Sequence, residues 1–174
     1  LGDSELRTDV DEEIVRWSMM QERLDEAKEV LDEALVRSRE RSDTVREARM
    51  LDLLGTYYVK CGDLEKSEEC LRAGVEAAKS TDDRVLHGRL LNNLGVTYIH
   101  MERFEDALNC YRDSCVIREG IEYRRGVIVN LHNMGDVYLR MGRHEEAAEH
   151  FQQSLEQARS HNWQFGLAMN LVYL

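Results

Sequence analysis

A 40-residue internal repeat is the feature that most constrains how this chain can fold. Three similar segments, LLGTYY, NLGVTY and NMGDVY, begin at residues 53, 93 and 133. A fixed period of this length is typical of proteins that repeat one supersecondary unit along the chain. The glycines and tyrosines that recur in these segments are Gly55, Gly95 and Gly135, and Tyr58, Tyr98 and Tyr138.

Each repeat is predicted to be a pair of amphipathic helices. Apolar residues recur at positions i, i+3, i+4 and i+7, a period that indicates helix and not strand. The sequence contains no proline, which suits helices joined by short turns. We therefore predict an all-α fold with one domain over residues 1–174, and we expect a fragment of a longer protein because the pattern stops within a unit. The predicted units are a degenerate one at about 8–42, full ones at 43–82, 83–122 and 123–162, and the first helix of a fifth at 163–174.

The recurring glycine lies inside the first predicted helix of each unit. Glycine in a helix interior costs about 1 kcal/mol relative to alanine. A position that tolerates this cost needs a close approach by a neighbouring helix. We expect the glycines to face the small residues of the second helix. These small residues are Ser67, Ala107 and Ala147.

The glycine and tyrosine of the first helix, with a small residue and then an aromatic on the second, resemble the tetratricopeptide repeat. The usual unit has 34 residues and ends near a proline, whereas this one has 40 and no proline. The longer period is similar to the repeats of kinesin light chains, spindle-orientation adaptors and bacterial regulators related to the maltose-regulon activator. The resemblance implies a right-handed α-α superhelix whose first helices line a concave groove.

The resemblance also implies which residues line that groove. Asparagine just before the Leu/Met-Gly pair is similar to the asparagine that contacts the peptide backbone in these families, and an amide both donates and accepts hydrogen bonds. The alternative for Asn93 and Asn133 is that they bridge adjacent helices. Arginines in the groove bind acidic side chains or a terminal carboxylate, or else pair within the chain. The predicted groove residues are Arg49, Arg89, Asn92, Asn93, His100, His132, Asn133, Asp136 and Arg140.

No active site is expected. The sequence lacks a phosphate-binding glycine loop, and no nucleophile is spaced to meet a base. His100 and His132 are the only histidines expected near one another, and a metal site needs a third ligand. Cys70, Cys110 and Cys115 fall in apolar columns of the repeat and are predicted to be buried. We therefore predict no enzyme activity, no cofactor and no metal, in a reducing, cytoplasmic setting.

Two functions remain open from the sequence. The first is a scaffold that binds an extended, neutral to acidic segment of another protein. The second is the ligand-sensing domain of a bacterial transcription factor or signalling protein. The net charge of −11 argues against nucleic-acid binding, and no apolar run is long enough to cross a membrane. The C-terminal stripe of Leu167, Leu171 and Leu174 predicts possible self-association.

Overall fold

The computed structural model describes residues 2–171, with side chains from 10 to 170. This part of the chain forms nine α-helices and no strand, which confirms the all-α prediction. None of the described helices is both long and apolar enough to span a bilayer. The helices are α1 (Gly2–Met20), α2 (Leu24–Glu40), α3 (Thr44–Cys61), α4 (Leu64–Lys79), α5 (Arg84–His100), α6 (Phe104–Gly120), α7 (Arg124–Arg140), α8 (His144–Ser160) and α9 (Gln164–Leu171).

The contacts within the chain group it into two compact units, residues 1–86 and 87–174. In the first unit, α1 packs on α2 and α3, α2 packs on α3, and α3 packs on α4. The core here includes the fully buried Val15 and Leu31 with Met50 of α3. The degenerate first repeat is therefore a helix pair like the others, although α1 begins well before residue 8. The single domain over 1–174 stays a prediction.

The second unit repeats the same packing. Within it, α7 contacts α6, α8 and α9, and α8 contacts α9. Serines on the second helices tie them to the first helices of the same repeats. Ser114 Oγ donates to the Gly88 carbonyl at 2.6 Å, and Ser154 Oγ donates to the Ile128 carbonyl at 2.9 Å. Each bond satisfies a serine hydroxyl that is fully buried.

The nearest neighbours of the glycine column are large side chains and not the small residues that we expected. A Cβ added at Gly135 would lie 2.7 Å from Phe151 Cε1, and one at Gly95 would lie 2.7 Å from Tyr111 Cε1. The glycine therefore accommodates the large side chain that follows four residues after the small one. The small residues Ser67, Ala107 and Ala147 are themselves buried. At Gly55 the same place is filled by Leu71.

Each turn between the described helices, except the one at residues 80–83, contains a residue in the left-handed backbone region. Gly62, the C-cap of α3, and Gly142, just after α7, have φ of 78° and 73°, a conformation that glycine adopts readily at the end of a helix. Asp63 then caps α4, since its carboxylate accepts a hydrogen bond from the Lys66 backbone N–H. The acidic residues that follow the turns therefore include a true N-cap. Other turns place a non-glycine residue in the same region, at Glu22, Ser42, Glu102, Glu122 and Asn162.

Candidate binding face

Eight of the nine predicted groove residues lie on the two first helices of the second unit. Three positions of α5 have their equivalents 40 residues later on α7, where His132, Asn133 and Arg140 correspond to Asn92, Asn93 and His100. Arg89 lies three residues before Asn92 and Asp136 lies four residues before Arg140, so both fall on the same side of their helices. His100 and Arg140 are exposed, and the other six are half-buried. We call this set the α5–α7 face. It comprises Arg89, Asn92, Asn93, His100, His132, Asn133, Asp136 and Arg140.

Three asparagine amides join α5 to α7 at the centre of the α5–α7 face. Asn133 Nδ2 donates to Asn92 Oδ1 at 3.1 Å, and Asn92 Nδ2 donates to Asn93 Oδ1 at 3.2 Å. We call this chain of hydrogen bonds the amide bridge. The structure thus shows the helix-bridging role that was the alternative for Asn93 and Asn133. Each amide has two N–H donors and an oxygen with two lone pairs, so these bonds do not exhaust its capacity.

His132 connects the α5–α7 face to the joint between α7 and α9. Its Nδ1 lies 3.0 Å from Asn170 Oδ1, and its ring centroid lies 5.3 Å from that of Phe151. The Asn170 amide nitrogen donates to Ser154 Oγ and to the Gly166 carbonyl, both at 2.8 Å. Since the Asn170 oxygen is therefore the acceptor, this network assigns the proton to His132 Nδ1. Ligand contact by His132 stays a prediction.

Two of the predicted arginines pair with acids of the chain. Arg140 Nε donates to Asp136 at 2.8 Å across one turn of α7. Arg49 belongs to the first unit, where its guanidinium lies 3.5 Å from Asp83 and 3.6 Å from Glu12. The intramolecular alternative for these arginines is therefore observed, and partly exposed pairs of this kind contribute little to stability.

The sequence reasoning missed a buried polar cluster beside the amide bridge. Arg118 of α6 is 5% exposed, and its Nη1 donates to the Gly126 carbonyl and to Asn130 Oδ1, both at 2.7 Å. Asn130 is fully buried and donates to the Tyr111 carbonyl at 3.3 Å. The repeat alignment could have revealed this cluster. The residues equivalent to Arg118 in the other units are small, and those equivalent to Asn130 in the two preceding units are apolar. The equivalents are Ser38, Ala78 and Ala158 for Arg118, and Met50 and Leu90 for Asn130.

The cysteines are all free. Cys110 is buried as predicted, whereas Cys70 and Cys115 are only half-buried and Cys61 is exposed. Burial raises the pKa of the Cys70 and Cys115 thiols. Among the described residues, no group of three or more histidine, cysteine or acidic side chains is placed to hold a metal ion.

The helix pairs and their glycine column define an all-α protein of repeated helical hairpins. The tetratricopeptide repeat model matches residues 46–120 and, one 40-residue period later, 86–160. These matches cover more than half of the chain, so the chain belongs to the tetratricopeptide repeat family and the resemblance is confirmed. A search of curated proteins finds no match.

Solved structures share this fold at low sequence identity. One is a Signal Transduction ATPase with Numerous Domains from Pyrococcus horikoshii, which has a tetratricopeptide repeat sensor. The alignment covers 98% of this chain and 26% of the ATPase chain, at 20% sequence identity and a TM-score of 0.85. The alignment with a putative kinesin light chain from Podosopora anserina covers 96% of this chain and 86% of that chain, at 16% sequence identity and a TM-score of 0.76. The alignment with a Rap protein complexed with competence and sporulation factor covers 98% of this chain and 47% of that chain, at 12% sequence identity and a TM-score of 0.86. The chain thus spans about a quarter of the first of these proteins.

Proposed function

We propose that this chain is a non-enzymatic scaffold that binds an extended segment of another protein along the α5–α7 face. The amide bridge carries the proposal. It places three amide side chains in a row on neighbouring first helices, where they are half-buried and not fully solvated. An extended peptide presents its own N–H and carbonyl groups at regular intervals, and amides can bond both kinds of group in any sequence.

The chemistry of the α5–α7 face also indicates the kind of segment. The face carries two arginines and two histidines but a single acid, Asp136, which is paired with Arg140. Although the chain as a whole carries a net charge of −11, a neutral to acidic segment suits the local composition of this face better than a basic one. The four free cysteines fit a reducing, cytoplasmic setting. Binding to a nucleic acid would require a much larger basic surface than this face provides.

The test compares a double variant with a matched control. Peptides selected from a random dodecapeptide library against the wild-type chain are measured by fluorescence polarisation against Asn93→Ala/Asn133→Ala and against Gln153→Ala. Gln153 is an exposed amide on the second helix α8, away from the face. Loss of two amide contacts at about 0.5 to 1.5 kcal/mol each weakens binding by about fivefold to 150-fold. Equal affinity in the double variant, with unchanged circular dichroism, would rule out the assignment.

The second candidate function is a ligand sensor. It is favoured by the fold similarity to a tetratricopeptide repeat sensor and to a Rap protein complexed with a factor. A sensor changes its own assembly when it binds, whereas a scaffold only gains the mass of its ligand. Sedimentation of the chain with and without a selected peptide separates the two. A peptide-dependent change in the association state of the chain favours the sensor.

Self-association through the last helix stays a prediction. Leu167 is half-buried on α9, the side chain of Leu171 is not described, and Leu174 lies outside the described residues. Sedimentation at increasing concentration of the chain without peptide tests this prediction. A constant monomer mass would contradict it.

A further inference from the structure

Arg118 is a buried cation for which the described part of the chain provides no carboxylate. Its Nη1 bonds go to two neutral oxygens, and its buried Nε has no hydrogen-bond partner. The Tyr123 ring, with its centroid 5.9 Å from Arg118 Cζ, offers only a weak cation–π contact. A buried charge without a counter-charge is expensive in free energy. The other repeats have a small residue at the position of Arg118, so the presence of an arginine here requires an explanation beyond packing.

Two glycines make room for Arg118 between the first helices. A Cβ at Gly126 of α7 would lie 2.5 Å from Arg118 Cδ, and one at Gly88 of α5 would lie 3.2 Å from Arg118 Cγ. The side chain thus reaches from α6 into the seam between α5 and α7. Gly88 precedes Asn92 by four residues on α5, so the arginine lies about one helical turn from the amide bridge along this seam.

The free edge of the guanidinium suits an oxyanion. Nη1 is already engaged, which leaves the edge formed by Nε and Nη2, the one that binds carboxylate or phosphate through two parallel hydrogen bonds. Arg89, next to Gly88, adds a second positive charge nearby. Burial, and to a smaller extent this charge, lowers the pKa of the Arg118 guanidinium.

We infer that the seam between α5 and α7 binds an oxyanion, a carboxylate or phosphate group, through Arg118 with Arg89 as the second cationic contact. The inference rests on the proposed function in one respect, because the anionic group belongs to the bound segment. An anion bound by two cationic side chains offsets the repulsion between them. The anion would give the bound segment a fixed position relative to the amide bridge. It would also explain a preference for acidic ligands.

The experiment follows the arginine Nε–Hε signals by ¹H–¹⁵N correlation spectroscopy. The wild-type chain is titrated with inorganic phosphate, with acetate and with chloride at constant ionic strength. The Arg118 signal is assigned by its loss in Arg118→Ala/Asn130→Leu, a pair that restores the residue types found at the equivalent positions Ala78 and Leu90. This variant removes the buried charge and its polar partner together, so that neither is left unsatisfied.

We expect the Arg118 signal to move saturably with phosphate or acetate and not with chloride. Loss of one charged contact of about 1.4 kcal/mol predicts that Arg89→Ala weakens this binding about tenfold. Arg159→Ala, which removes an exposed arginine from the last turn of α8, should leave it unchanged. The relative affinities for phosphate and acetate identify the group that the bound segment carries.

An Arg118 signal that stays fixed, or that moves equally with chloride, would overturn the inference. This titration contains no peptide, so its failure is distinguishable from failure of the proposed function. Peptide binding that depends on Asn93 and Asn133 beside a fixed Arg118 signal would leave the scaffold standing without an anion site. Saturable phosphate or acetate binding without peptide binding would support the anion site and contradict the scaffold.

Discussion

Replacing Gly135 with alanine tests whether the glycine column is there to admit a large side chain. The added methyl group would lie 2.7 Å from Phe151 Cε1 and 2.8 Å from Phe151 Cδ1. Phe151 is 2% exposed, so its ring cannot relieve the contact by turning out into solvent. In a helix that needed no close approach, the same substitution would stabilise the chain by about 1 kcal/mol.

The magnitude follows from two opposing contributions. Overpacking a dense core costs up to about 3 kcal/mol, and the gain in helix propensity returns about 1 kcal/mol. We expect the free energy of unfolding to fall by about 2 kcal/mol. For a chain of this length, each kcal/mol corresponds to about 2 to 4 °C in the melting temperature, hence a decrease of about 4 to 8 °C.

Gly120→Ala is the matched control for this measurement. Gly120 ends α6, and a Cβ there would have no heavy atom within 4 Å. Urea denaturation followed by circular dichroism should give a lower midpoint for Gly135→Ala and an equal or higher one for Gly120→Ala. If both variants were as stable as the wild type, the close approach of Phe151 would not be what requires glycine at this position.

Two further predictions concern the end of the chain and the cap of α4. Asn170→Leu removes the buried amide that forms hydrogen bonds with Ser154, Gly166 and His132. We expect this change to destabilise the packing of α9 on α7 by about 1 to 3 kcal/mol. Hydrogen exchange should become faster in α9 and stay unchanged in α3. The side chain of Lys66 and its backbone N–H hold the pKa of Asp63 below its usual value, so the contribution of Asp63 to stability is present above pH about 4 and is lost as the pH falls further. The difference in urea midpoint between wild type and Asp63→Ala should therefore shrink between pH 6 and pH 3, whereas Asp63→Asn, which keeps a capping side chain, should retain its advantage over alanine. A difference that is independent of pH would count against the cap.

The predicted α5–α7 face depended on period and family resemblance, and both carry information about helix sides. Residues 40 apart occupy equivalent positions, so Asn93 and Asn133 were expected on neighbouring first helices. Sequence spacing does not say what lies across a seam. The hydrogen bond from Asn133 to Asn92, and the pairing of Arg140 with Asp136, depend on side-chain conformation in three dimensions.

The amino-acid sequence by itself determined the helix pairs, their 40-residue period and the glycine turns. These features are local, because apolar periodicity and the conformational freedom of glycine act within one or two turns of chain. Only the tertiary structure decided that Gly135 faces Phe151, that Asn170 anchors His132, and that Arg118 enters the seam between α5 and α7. Those contacts join residues on different helices, and the partner of a buried polar or bulky group is settled by which surfaces the helices bring together.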